Sequence, residues 1–342
     1  MNAPKYLTLM KDIQNDLLQF LEDDENNEEN FQNLYNICTN QKINENLHML
    51  KSILHLITKI TNGHHRNSLF YNKIDQVLAI FKDDIKKYFT NSEIFNIFRN
   101  NKRILLFLIE EKIMNINACI AKKISLSSKY IKGDYMEYFS PELQIYKIES
   151  WFKGFDLNAK LPEYFYEKRK AGENDNKICE LIREDLIEEF IIFVNKNNYP
   201  LNSVIQKCTY ETNSILVRKK VTLIEYSAFF GSIQIFRYLM LNNVKLTLSL
   251  FIYAIHGQNP EIIHILEDNI KPDSDLYMKY FIRSIKCHHN DIANYFWNNF
   301  LSDDEENSKI KFIQCLKYYN FAFIQDEYIN RSFFIYFCKY DY

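Results

Sequence analysis

Apolar residues recur along this chain at steps of three and four, the spacing that places them on one side of a helix. In the first half the stripes are Leu9, Ile13, Leu17 and Phe20 or Leu21, then Phe31, Leu34, Tyr35 and Cys38, then Leu47, Leu50, Leu54 and Ile57. A longer stripe carries Phe70, Ile74, Val77, Leu78, Phe81, Ile85 and Tyr88. Polar residues punctuate them. The acidic run of residues 22–29 reads as a solvated loop entering the next helix, and Asn62-Gly63-His64-His65 breaks the pattern again. Thr90-Asn91-Ser92-Glu93 supplies caps for a short helix through Phe98, and Asn100-Asn101 turns the chain into an apolar helix over 104–113. Ser140-Pro141-Glu142 is a further helix start, with Ser as N-cap and Pro at the first helical position.

From Trp151 to about Asn176 the periodicity fades around Gly154, Pro162 and Gly172. The expected organisation is therefore an N-terminal helical region over 1–150, a connecting segment over 151–176 and a stack over 177–342. The stack opens with a helix pair over 178–193, turned at Arg183-Glu184-Asp185. Residues 222–243 give the clearest unit. Small Ser227 and Ala228 let two helices approach, Gly231 allows the turn, and Ile235, Phe236, Tyr238 and Leu239 form the buried face of the second helix. Aligning Ile262-Ile263 on Ile235-Phe236 places Ala254 on Ser227 and Gln258 on Gly231, and a third copy places Ser284 at the small position and Tyr295-Phe296 at the buried pair. A weaker fourth copy runs from Ile310 to about Tyr328, and residues 331–340 close the stack. Upstream, Asn100 falls where Gly231 does, with Ile104-Leu105 and Phe107-Leu108 at the two buried pairs, so the first half contains degenerate copies. One pair cannot cover its own apolar face; stacking solves that and predicts a solenoid.

Over residues 177–320 the pattern resembles ankyrin repeats, and more narrowly the ankyrin-like proteins expanded in some protists that carry a domain of unknown function. The stretch from Leu223 to Ile233 carries the likeness, and Glu93-Ile94-Phe95-Asn96-Ile97-Phe98, Arg103-Ile104-Leu105-Leu106-Phe107-Leu108 and Tyr138-Phe139-Ser140-Pro141-Glu142 resemble the upstream part of that family. Thr222-Leu223-Ile224-Glu225 stands where ankyrin repeats have Thr-Pro-Leu-His, Asn243 replaces the Gly after the second helix, and spacings of 27 and 30 residues leave little chain for β-hairpin fingers. The expected fold is an all-α, ankyrin-like helix-turn-helix solenoid with short or missing fingers. The resemblance implies a protein-binding scaffold whose concave face is lined by Lys219, Val221, Phe229, Phe230, His256, Lys286 and Cys287. For Phe229 and Phe230, core packing between repeats is an equal alternative to exposed anchors. A structural or self-associating scaffold is the second reading, and an enzyme with a site between the two halves the third.

Composition narrows these readings. A net charge of -2 supplies no field for nucleic acid, and only the isolated Arg218-Lys219-Lys220 is locally basic. Six glycines, none close in sequence to another, exclude a phosphate-cradling loop. No apolar run approaches the ~20 residues that span a bilayer, so membrane insertion is not expected. Seven scattered cysteines without a Cys-x-x-Cys pair read as reduced thiols of a cytoplasmic or nuclear protein, and Asn330-Arg331-Ser332 as a chance sequon. His64-His65 and Cys287-His288-His289 are the clusters of metal-ligand type, but neither has a partner pair at zinc-finger or His-Glu-x-x-His spacing. Both read as turns. No metal, cofactor or catalytic group is expected.

Overall fold

Short polar breaks between the apolar stripes become caps and turns. A computed structural model describes residues 3–23, 28–41, 43, 46–126, 135–146, 155–156 and 159–324; Trp151, the sequon at 330–332, Cys338 and the expected closing segment over 331–340 lie outside them. Among the described residues there are helices and no strand, only an isolated antiparallel bridge between Val204 and Thr222. The chain is an all-α helical-repeat solenoid.

The N-terminal layer comprises α1 (Ala3–Glu22), α2 (Glu28–Asn40), α3 (Leu47–Gly63), α4 (Phe70–Ile80), α5 (Lys82–Tyr88), α6 (Asn91–Phe98), α7 (Lys102–Glu110) and α8 (Ala118–Ser125). Side chains of Asn46, Thr90, Asn101 and Asn117 cap α3, α6, α7 and α8, taking N–H groups that a helix start leaves unpaired. Two single turns follow, α9 (Tyr135–Tyr138) and α10 (Ser140–Leu143). Within the stretch read as a connecting segment, α11 (Phe165–Ala171) buries Phe165 and Arg169, and Arg169 binds both the Tyr138 carbonyl and the Glu142 carboxylate.

The stack follows with α12 (Lys177–Arg183) and α13 (Ile187–Lys196), the single turn α14 (Ser214–Arg218), then α15 (Leu223–Phe230) with α16 (Ile233–Leu241), α17 (Leu250–Gly257) with α18 (Pro260–Asn269), α19 (Ser274–Cys287) with α20 (Asn290–Phe300), and α21 (Glu305–Tyr318). One turn repeats through it. Asp185, Gly231, Gln258, His288 and Tyr319 all adopt positive φ after the first helix of a unit. The following N–H reaches back five residues, Leu186 to Leu181, Ser232 to Ser227, His289 to Ser284 and Asn320 to Cys315, at 2.9–3.1 Å. This is the hydrogen bond of a left-handed helix stop. Second helices end alike: Asn198 and Asn243 have positive φ, with Tyr199 bonded to Val194 and Val244 to Leu239. After α7 the same geometry appears at Lys112, with Ile113 bonded to Leu108, so the alignment of Leu108 on Leu239 has a backbone counterpart.

Buried side chains form two cores. One fills the N-terminal layer, and the other threads the stack from Ile178 to Trp297. The last α-helix among the described residues, with the turn after it, serves both: Phe312, Leu316, Tyr319 and Phe321 join the N-terminal core, while Cys315 joins the stack.

Candidate functional site

The inner helices of the stack carry the residues expected to line a concave face, and the N-terminal layer lies against them. At Gly63, the last residue of α3, an added Cβ would sit 2.7 Å from the Lys286 carbonyl oxygen and 3.3 Å from Cys287 Cα. Only glycine permits that approach of α3 to α19. Val221, Phe229, His256 and Cys287 are core residues, which corrects their assignment to an open binding face and, for Phe229, selects the alternative of packing between repeats. The Phe229 ring stacks on His256 with centroids 5.0 Å apart, and His256 lies 3.5 Å from Cys287 Sγ. The other three reach the surface. Lys219 is exposed with its ammonium 5.9 Å from the Tyr253 ring, Phe230 is half-buried against Tyr226, and half-buried Lys286 points its ammonium at Tyr318.

A Cys–His contact invites a catalytic reading, and its chemistry opposes one. Burial pushes the Cys287 thiol up to about 12 despite the nearby Arg283 and Lys286 charges. Burial, with those same two cations, holds His256 well below its ordinary value. Both partners stay neutral, whereas a nucleophilic pair needs thiolate beside imidazolium.

The seam between layer and stack holds a second group of polar side chains. His64, the C-cap of α3, is buried, and its Nδ1 lies 2.9 Å from the Cys287 carbonyl oxygen. A carbonyl can only accept, so the proton resides on Nδ1 and Nε2 turns toward Glu22 Oε1, 3.3 Å away. Glu22 closes α1, and its Oε1 accepts from Gln258 Nε2 at 3.3 Å. The third member is His289, the N-cap of α20, whose ring centroid is 4.6 Å from that of His64. One ligand atom from each of Glu22, His64 and His289 lies within 4.8 Å of the others. Neither ring nitrogen of His289 has a hydrogen-bond partner among the described residues, and Nε2 of His64 has only the Glu22 carboxylate beside it. Burial and then the neighbouring imidazoles, His64 foremost, keep His289 well below the usual imidazole range. Burial raises Glu22, but its contacts with His64, Gln258 and His65 hold its carboxyl below the ordinary value. Beside His289 a cavity of about 280 Å³ is lined also by Gln258, Pro260, Ile263, His264 and Tyr295.

Both histidine stretches do lie at turns, as the sequence pattern predicts: His288 is the left-handed residue after α19, and His64 caps α3. What sequence spacing conceals is their meeting across more than two hundred residues, with Glu22 from the start of the acidic run as third member. Further polar contacts stitch the same seam. Tyr71 and Arg66 bind Thr212 Oγ1 at 2.6 and 3.2 Å, Arg103 Nε donates to the Lys170 carbonyl at 2.6 Å, and Lys102 donates to the Thr209 carbonyl.

A family model described as a domain of unknown function (DUF3447) matches residues 241–325, from the end of α16 through α21. No curated protein and no solved structure matches the chain.

Proposed function

We propose that this chain is a non-enzymatic, ankyrin-like helical-repeat scaffold of the cytoplasm or nucleus that binds a protein partner. The observation that carries the reading is the docking of α3 on α19 through Gly63: the inner face of the stack is shaped to hold a helical segment, and here it holds the chain's own. A repeat stack of this kind offers an extended surface. The neutral Cys287–His256 pair supports a role without covalent chemistry. Among the described residues no helix is long and apolar enough to cross a membrane, which agrees with a partner reached from water.

With Phe229 and His256 in the core, partner contacts fall on surfaces that remain open. Leu241, at the end of α16, is 76% exposed and Ile192, on α13, is 66% exposed, which is unusual for side chains of this size. Leu248 and Val204 are exposed too, next in sequence to Thr247 and bridged to Thr222, two residues that line a groove with Ile224, Glu225, Val244 and Lys245, where an ankyrin repeat carries its fingers. The test is affinity capture from the source cell, followed by mass spectrometry, with wild type and the surface variant Leu241→Asp/Leu248→Asp. Proteins captured by wild type should drop by roughly tenfold with the variant, since a buried anchor contributes about 1.4 kcal/mol or more. Circular dichroism must show unchanged helicity. A capture profile identical between the two proteins refutes this surface, and turnover of any substrate abolished by a point mutation refutes the scaffold reading.

A further inference from the structure

A buried imidazole with both nitrogens unpaired is costly, because each polar atom has left water without a replacement; a penalty of about 1–3 kcal/mol per group is typical. His289 is in that state at 2% exposure, and the equally buried His64 has only the Glu22 carboxylate, 3.3 Å away, to serve its Nε2. A proton on His64 Nε2 would meet Glu22 and leave His289 unpaired. A single cation at the centre of the three side chains serves all of them. We propose that Glu22, His64 and His289 bind a divalent first-row transition ion, Zn²⁺ foremost, that clasps the N-terminal layer to the repeat stack.

Several features favour this site. Two imidazoles and one carboxylate are the donor set of borderline ions, while Ca²⁺ and Mg²⁺ prefer all-oxygen ligands. The 3.3 Å between His64 Nε2 and Glu22 Oε1 equals the roughly 3.3 Å that separates two ligands of a tetrahedral ion at ~2.0–2.1 Å. His289, tied by no hydrogen bond of its ring, can turn to complete the set. Outer partners already orient two ligands: the Cys287 carbonyl fixes the His64 tautomer that leaves Nε2 free to coordinate, and Gln258 holds the Glu22 carboxylate. The cavity beside His289 gives a fourth ligand a route from solvent.

The test uses the full-length chain, stripped with chelator and titrated with ZnCl₂ by calorimetry, with Co²⁺ absorption as a second readout. One ion per chain should bind with micromolar or tighter affinity and raise the melting temperature by roughly 5 °C. Glu22→Gln, at a half-exposed position that folding tolerates, and His289→Asn should each weaken binding by at least about tenfold. His264→Ala, which removes the exposed histidine of the cavity, should leave the affinity unchanged. Absence of saturable binding by folded wild type overturns the proposal, as does full affinity in both ligand variants or a loss in His264→Ala equal to theirs.

Discussion

At His256 the fold has taken an ionisable ring and made it a packing element. The ring is buried, lies flat on Phe229, and is held neutral first by burial and then by the charges of Arg283 and Lys286. Its response to acid follows from linkage. Above pH 6.5 the imidazole is neutral in both folded and unfolded chains, and stability does not change on its account. As pH falls through 6.5 the unfolded chain gains a proton that the folded site refuses, so stability is lost until the folded site also protonates, at a limiting rate of about 1.4 kcal/mol per pH unit. Urea midpoints should therefore fall between pH 7 and pH 5. His256→Phe keeps a ring beside Phe229 and removes the titration, so its midpoint should fall less steeply by up to one group's share. Equal slopes for the two proteins would mean that His256 titrates normally.

The contact between repeat units rests on two glycines. Gly231 has positive φ, and a Cβ there would meet the Gly257 carbonyl oxygen at 2.6 Å; a Cβ on Gly257 would meet Gly231 N at 2.7 Å and the Ala228 oxygen closer still. Asn259 then donates to the Gly231 carbonyl at 3.0 Å and closes the joint between α15 and α18. Gly257→Ala should destabilise by roughly 2–3 kcal/mol through overpacking. The adjacent Gln258→Gly should stabilise by about 1 kcal/mol, because Gln258 holds a left-handed conformation that glycine adopts without strain. Denaturation curves for the pair decide it: a neutral Gly257→Ala would exclude so close an approach. The sequence reveals the turn at Gly231 and the small residues Ser227, Ala254 and Ser284, because a small side chain at a fixed period is a local signal of helix contact. Gly257 escapes, since its turn position is taken by Gln258 and its function depends on the neighbouring unit. Val221, Phe229, His256 and Cys287 hold the expected places along the stack without the expected exposure, and at Cys287 the cover is the end of α3, far away in the chain. Glu22, His64 and His289 were illegible as a group for the same reason.

At the scale of the whole molecule α21, the last α-helix among the described residues, joins what the sequence pattern separates. An open solenoid frays from its ends, since a terminal repeat has one neighbour where inner repeats have two. In this chain α21 has a neighbour on either side. Cys315 and the left-handed Tyr319 continue the turn pattern of the stack, while Phe312, Leu316, Tyr319 and Phe321 are buried with residues of the N-terminal layer. Gln14 on α1 bonds to both sides of the same turn, donating to Asn320 Oδ1 at 3.0 Å and accepting from the Phe321 N–H at 2.6 Å, and His55 on α3 stacks on Tyr319. Loss of α21 packing should therefore loosen both halves together. Leu316→Ala removes a fully buried side chain and should cost about 2–5 kcal/mol. In native-state hydrogen exchange the variant should speed exchange in α1 and α3 as well as in α19 and α21, with one shared unfolding transition. Faster exchange confined to the stack would show that the two cores fold independently, and that the α21 contacts with α1 and α3 form a surface and not a shared core.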